Sequence, residues 1–236
     1  MRPKPLLRLL RSVQEQSLYP DEILVVDGST NSETRIVLVE NTFKNLTYFL
    51  VPKEYRGLTR QRNYGVDKAS ETSDMIAFVD DDTELTPNYF EELVRTFVAD
   101  KTIFGVGGVA LNENSWVLAE PNKQYNKYHF FQFDKFVYKE GKRNVVRNYL
   151  RLQSNLEPGK MPDYSHGRTC GFPLDGKIYK VDLLIGMSFA FRKIVFDSIQ
   201  FSSYFEGYGL YEDADFSIRA LQFGSNVINT KVQLNH

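Results

Sequence analysis

The chain has 236 residues, with 29 Lys and Arg against 30 Asp and Glu, a net charge of −1. That balance excludes a general nucleic-acid binder, which needs a basic footprint. With 42% hydrophobic and 25% charged residues, a disordered chain is excluded too, and the length suits one α/β domain with an elaboration. The lone Cys170 leaves no internal disulfide and fits a reducing, cytoplasmic setting. The longest apolar run, around Leu183 to Phe191, is too short to span a bilayer.

Leu6, Leu9, Leu10 and Val13 follow the i, i+3, i+4, i+7 spacing of an amphipathic helix, with Pro3 and Pro5 in its first turn. Glu22 to Asp27 reads as a buried strand that ends in an acid and is closed by Gly28-Ser29-Thr30. A helix is expected over Ser32 to Phe43 and a strand over Thr47 to Val51, stopped by Pro52. Next, Thr59 is the expected N-cap of a helix carrying Arg60, Arg62 and Asn63. Arginines at a helix N-terminus suit a diphosphate, or are simply solvated. Ile76-Ala77-Phe78-Val79 is an apolar run that ends in Asp80-Asp81-Asp82. Carboxylates at a strand tip lie where open α/β sheets bind ligands. Asp80 and Asp82, one residue apart, can point the same way and offer hard oxygens to Mg²⁺ or Mn²⁺. The bland alternative is a solvated acidic turn before the helix expected from Pro87. Ile103 to Leu111 is a further strand candidate, with Gly105, Gly107 and Gly108 allowing close backbone approach. Alternating short strands and helices imply a mainly parallel sheet with helices on both faces.

From Asn112 to about Lys180 that alternation breaks. Trp116, Tyr125, Tyr128, Phe130, Phe131, Phe133, Phe136 and Tyr138 are dense there, and Arg143, Arg147 and Arg151 follow at helical spacing. The segment reads either as an insertion whose arginines meet lipid phosphates or an anionic acceptor, or as a subsidiary core with a solvated basic face. Pro158 to Asp175 looks like a long loop. Order returns at Val181 to Arg192, followed by Phe205-Glu206-Gly207-Tyr208-Gly209-Leu210. A helix then opens on Glu212, Asp213 and Asp215 and ends at Gly224. A short strand, Val227 to Asn229, precedes His236.

In this order the pieces resemble the family 2 nucleotide-sugar glycosyltransferases of GT-A fold. The matching residues are Val25-Val26-Asp27-Gly28-Ser29, Gln61-Arg62-Asn63-Tyr64-Gly65, Asp80-Asp81-Asp82, Gly186 to Arg192, Glu212-Asp213 and His236. The resemblance implies a Rossmann-like domain over 1–236, with a nucleotide-binding half (1–111), the insertion (112–180) and an acceptor-side half (181–236). Asp27 and Ser29 would lie at the base or ribose, and Arg60, Arg62 and Asn63 near the nucleotide and its phosphates. Asp80 would reach ribose and metal, with Asp82 and His236 as metal ligands. Asp213 would be the base and Glu212 would shape the acceptor site. The implied reaction is inverting transfer from a nucleotide sugar, UDP first, to a sugar, glycan or lipid-linked hydroxyl in polysaccharide assembly. It would use Mg²⁺ or Mn²⁺, in the cytoplasm, with peripheral contact to the inner face of the plasma membrane. A nucleotidyltransferase and a degenerate, non-enzymatic carbohydrate-binding relative are the competing readings. The family also opens with an apolar strand ahead of the position of Met1-Arg2-Pro3, in mid-sheet, and continues past His236. The resemblance therefore implies a trimmed or mis-started sequence.

Overall fold

The computed structural model describes residues 2–164, 167–168, 171–206 and 209–236. Cys170, Gly207 and Tyr208 lie outside the described residues. In chain order the elements are α1 (Pro3–Gln14), β1 (Ile23–Asp27), α2 (Glu33–Glu40), β2 (Leu46–Leu50), α3 (Leu58–Lys68), β3 (Met75–Val79) and β4 (Glu84–Leu85). Then come α4 (Tyr89–Ala99), β5 (Ile103–Ala110), β6 (Trp116–Leu118), β7 (Phe130–Phe133), β8 (Phe136–Lys139) and α5 (Lys142–Tyr149). The chain closes with β9 (Ile178–Val181), β10 (Ser188–Arg192), α6 (Glu212–Ala220) and β11 (Ser225–Asn235).

The main sheet runs in the order β3-β10-β5-β11-β4, with β9 also paired to β11. It is mixed rather than mainly parallel. β5 and β11 are parallel, whereas β10 runs antiparallel to both β3 and β5, and β11 antiparallel to β4 and β9. Apolar periodicity reports burial but is blind to strand direction, so the sequence pattern could not distinguish the two. The pleat sorts the side chains by face. Ala190, Val106 and Ala110 meet the inward stripe of α1 (Leu6, Leu9, Leu10, Val13) and Tyr89, Leu93 and Phe97 of α4. Phe189, Phe191 and Val109 meet Phe216 and Ala220 of α6 on the other face. The glycines of β5 permit the tight packing expected of them: a Cβ on Gly108 would come within 2.6 Å of the Val232 carbonyl oxygen.

β1 and β2 form a separate parallel pair. Among the described residues no ladder joins β1 to β3. β3 therefore bonds a neighbour on one side only. Its apolar residues are half-buried instead of buried, and Ala77 is exposed.

Four expectations shift in detail. Gly57, at φ 122°, precedes α3 in place of Thr59, which is buried one position inside the helix. Only glycine adopts that φ readily. α6 ends at Ala220, ahead of Gly224. The short final strand is in fact continuous from Ser225 to Asn235, with register shifts that let it exchange partners along its length. The arginine stripe is broken, because α5 ends at Tyr149 and Arg151 is left-handed at φ 57°. Within the insertion, β6, β8 and β7 make an antiparallel sheet. Trp116 packs there against Phe131, Phe133 and Tyr138. Among the described residues no helix is long and apolar enough to cross a membrane.

Candidate active site

β3 delivers the acids. Its ladder ends at Val79, and the Asp80 N–H donates to the Met187 carbonyl at 3.2 Å, so the acid triplet starts against the turn before β10. Thr83 donates from both its N–H and its hydroxyl to the Asp80 carbonyl, which curls the segment. Asp80, Asp82 and His236 then converge, with one ligand atom from each lying within 4.8 Å of the others. His236 sits just past β11. Its backbone exchanges hydrogen bonds with the Asn112 side chain, and its Nδ1 is 2.9 Å from Glu113 Oε1. Two carboxylates and an imidazole are a donor set that fits Mn²⁺ or Mg²⁺. A cationic group already stands against them. The Arg2 guanidinium lies 2.6 Å from Asp81 Oδ1 and 2.8 Å from Asp82 Oδ2.

Gly186 and Met187 connect this cluster to the start of α6. The Gly186 N–H donates to Asp213 Oδ2 at 2.8 Å, and its carbonyl accepts from Arg62 at 3.3 Å. Arg62 also donates to Glu212 Oε1 at 2.8 Å; both partners are buried. The guanidinium lies over the rings of Phe189 and Phe201, 5.0 and 5.2 Å from their centroids, a desolvated setting in which ring and charge attract. Asp213 Oδ1 accepts from the Ala214 N–H. Tyr211, at φ 70°, takes a strained left-handed turn immediately before these acids. A Cβ on Gly186 would lie 3.0 Å from Arg62 and 3.3 Å from Glu212, so the turn has almost no room for a side chain.

Electrostatics follow from this crowding. Burial pushes the Asp80 carboxyl up, Arg62 opposes the rise, and Asp82 adds to it; the net shift is upward. Glu212 is likewise raised by burial, against the pull of Arg62. His236 is raised chiefly by its hydrogen bond to Glu113, with the Asp82 charge assisting and burial opposing. Asp27, fully buried at the end of β1, accepts from the Ser29 N–H and the Tyr48 hydroxyl. Burial alone would raise its carboxyl; these hydrogen bonds outweigh burial and hold it below the ordinary range. Tyr48, half-buried beside that acid, is pushed up to about 12 by desolvation and by its hydrogen bond to Asp27.

The structure brings Asp80, Asp82 and His236 together, and Arg62, Glu212 and Asp213 together. Asp27 and Ser29 form their own turn. Arg60 and Asn63 are occupied elsewhere. Arg60 is bound by Glu206 and by the Glu54 carbonyl. The Asn63 amide donates to the Phe201 carbonyl and accepts from the Phe201 N–H, which consumes both its ends. Sequence reasoning missed Glu113, Arg2, Tyr48 and Glu206. Only Tyr48 carried a signal, since it lies in the strand expected beside Asp27. A cavity of about 290 Å³ opens beside the metal-type cluster and runs to the insertion; Glu113, Ile185, Met187, Tyr138, Arg168 and Phe172 are among its walls.

Residues 1–160 match the family model described as Glycosyl transferase family 2, which is more than half of the chain. The chain belongs to glycosyl transferase family 2. Among curated relatives of this family 2 chain, a glucosyl-dolichyl phosphate glucuronosyltransferase of Haloferax volcanii is 30% identical over 115 residues, 48% of this chain and 34% of the relative. A GalNAc(5)-diNAcBac-PP-undecaprenol beta-1,3-glucosyltransferase of Campylobacter jejuni is 31% identical over 91 residues, 37% of this chain and 28% of the relative. The match thus spans about a third of these relatives' length. The structure of GalNAc-T7 with UDP, GalNAc and Mn²⁺ superposes with a TM-score of 0.61 at 16% identity, covering 98% of this chain and 41% of that one. At that identity the likeness concerns the fold, and the fold is GT-A.

Proposed function

We propose that this family 2 chain transfers a sugar from a nucleotide diphosphate sugar, with inversion, to a hydroxyl of a glycan or lipid-linked acceptor. One observation carries the reading. The two-residue turn Gly186-Met187 ties the acid triplet at one end to Arg62, Glu212 and Asp213 at the other. Donor-side and acceptor-side groups therefore share one rigid frame, as positioning catalysis requires.

In this reading Asp80, Asp82 and His236 hold Mg²⁺ or Mn²⁺, which when bound offsets the charge that develops on the departing diphosphate. Asp27 and Ser29 contact the nucleoside. Asp213, fixed by two backbone N–H donors, takes the proton from the attacking acceptor hydroxyl. A single base on the far side of the sugar means one displacement and no protein-bound intermediate, hence inversion. Arg62 and Glu212 are positioning groups: their buried pair fixes the first turn of α6 and, with it, Asp213. Arg60 reaches a diphosphate only by leaving Glu206, and Asn63 holds the loop at Phe201 rather than the nucleotide. UDP is the first donor to try, supported by the UDP and Mn²⁺ of the GalNAc-T7 structure. A lipid-linked acceptor is supported by the dolichyl and undecaprenol substrates named for the two relatives.

Thermal melting with UDP, GDP, dTDP and CDP, with and without Mn²⁺, tests the reading. A nucleotide at a hundred times its Kd adds about 2.7 kcal/mol, which for a chain of this size is roughly 5–10 °C. The expected result is a Mn²⁺-dependent rise with one nucleotide that Asp82→Ala abolishes. A flat response to all four overturns it.

A further inference from the structure

The outer face of α5 is unlike the rest of the surface. Asn144 donates to Glu140 and Asn148 to the Tyr128 carbonyl, which pins one side of the helix to the insertion. The opposite side carries Val146 and Leu150, and Leu152 follows in the next turn; all three are between 53% and 62% exposed, whereas Tyr149 stacks on Tyr128 and bonds His129 of the insertion. Lys142, Arg143, Arg147 and Arg151 surround them. No Asp or Glu occurs from Gly141 to Leu156, in a chain whose net charge is −1. Among the described residues, none of the four cations is paired with a carboxylate. The nearest preceding acid, Glu140, is buried and neutralised by Arg168.

We propose that this face docks on an anionic lipid bilayer. Exposed aliphatic side chains interleaved with uncompensated cations suit the headgroup region, where the apolar groups enter the acyl boundary and the cations meet phosphate. A second copy of the chain would bring two sets of like charges together. A polyanion in water would leave the aliphatic groups uncovered. The same insertion supplies Tyr138 and Arg168 to the 290 Å³ cavity, so docking here sets that cavity close to the lipid surface. The proposal is independent of the transfer chemistry, and its test uses no nucleotide.

Flotation of the full chain with phosphatidylcholine vesicles, with or without phosphatidylglycerol, decides it. Binding should require the anionic lipid and should fade as salt rises from 0.1 M to 1 M, where the screening length falls from about 10 Å to about 3 Å. At about fivefold per cation, Arg143→Gln and Arg147→Gln should each weaken partition about fivefold, and together about 25-fold, with melting unchanged. Leu150→Ser with Leu152→Ser should remove the binding that survives at high salt. Flotation with neither vesicle, equal flotation with both, or no response to these variants overturns the proposal. So does a dimer, seen by light scattering, that the two serine changes disperse without any vesicle binding.

Discussion

Two regions of the molecule handle positive charge in opposite ways. Around Gly186 every charged group is answered from within. Arg62 is buried against Glu212 and stacked on two phenylalanines, and Asp213 accepts two backbone N–H bonds. On α5 and in the turn after it, Lys142, Arg143, Arg147 and Arg151 stand without a carboxylate partner among the described residues, with exposed aliphatic groups between them. Internal satisfaction makes a frame that cannot tolerate the loss of a partner. Charge left unanswered on a surface costs the fold little and remains available to something outside it.

That contrast can be broken, starting with the largest effect. Asp213→Asn should keep the fold and nucleotide-dependent melting but lower turnover by about 10²–10⁴-fold, the range of a lost general base. Unchanged turnover would remove Asp213 from its role. Arg62→Met should destabilise by about 3–5 kcal/mol, the usual cost of leaving one member of a buried pair alone. Its pH dependence carries a sign. Glu212, already raised by burial, loses its cation and rises further. A carboxyl whose folded pKa is raised costs stability above its unfolded pKa, so the deficit should be greatest near neutral pH and shrink towards about pH 4. Denaturant titration at both pH values reads this out, and a pH-independent deficit would contradict it.

A smaller effect is expected at Glu113. Its hydrogen bond raises His236, so stability from that pair is present below the ordinary histidine value and lost as pH rises through the raised one. The same proton competes with a metal, whose affinity should climb with pH by up to about tenfold per unit across that window. Glu113→Gln should move the climb to lower pH, as Mn²⁺ titration followed by calorimetry would show. At the far end, Arg147→Gln should change stability by less than about 0.5 kcal/mol, as surface substitutions usually do. A larger loss would mean that the outer face of α5 is a structural element and would erase the contrast.

Legibility in the sequence followed the reach of each interaction. The acids at the tips of β1 and β3 were readable because an apolar run that stops in carboxylates is a local pattern. The helical stripe of α1 was readable for the same reason. Strand direction was not, because β10 pairs antiparallel with β3 through residues more than a hundred positions away. The partners of Arg60 and Asn63 were hidden for a related reason. Their partners, Glu206 and Phe201, stand 146 and 138 residues downstream, and no spacing rule connects them. Glu113 was one acid in a polar turn and gained meaning only when β11 carried His236 beside it. His236 itself was picked out by family resemblance and not by any physical pattern.

Among the described residues β3 bonds a neighbour on one side only, which has a consequence for how these 236 residues behave in a test tube. Met75-Ile76-Ala77-Phe78-Val79 is uncharged, free of proline and apolar on both faces. It offers a row of backbone donors and acceptors with no bulge or lysine to discourage a visitor. An edge of that composition is a template for strand addition between molecules. Self-association of these 236 residues through β3 should therefore grow with concentration, yield to a lysine at Ala77, and cease wherever another strand covers that side of β3.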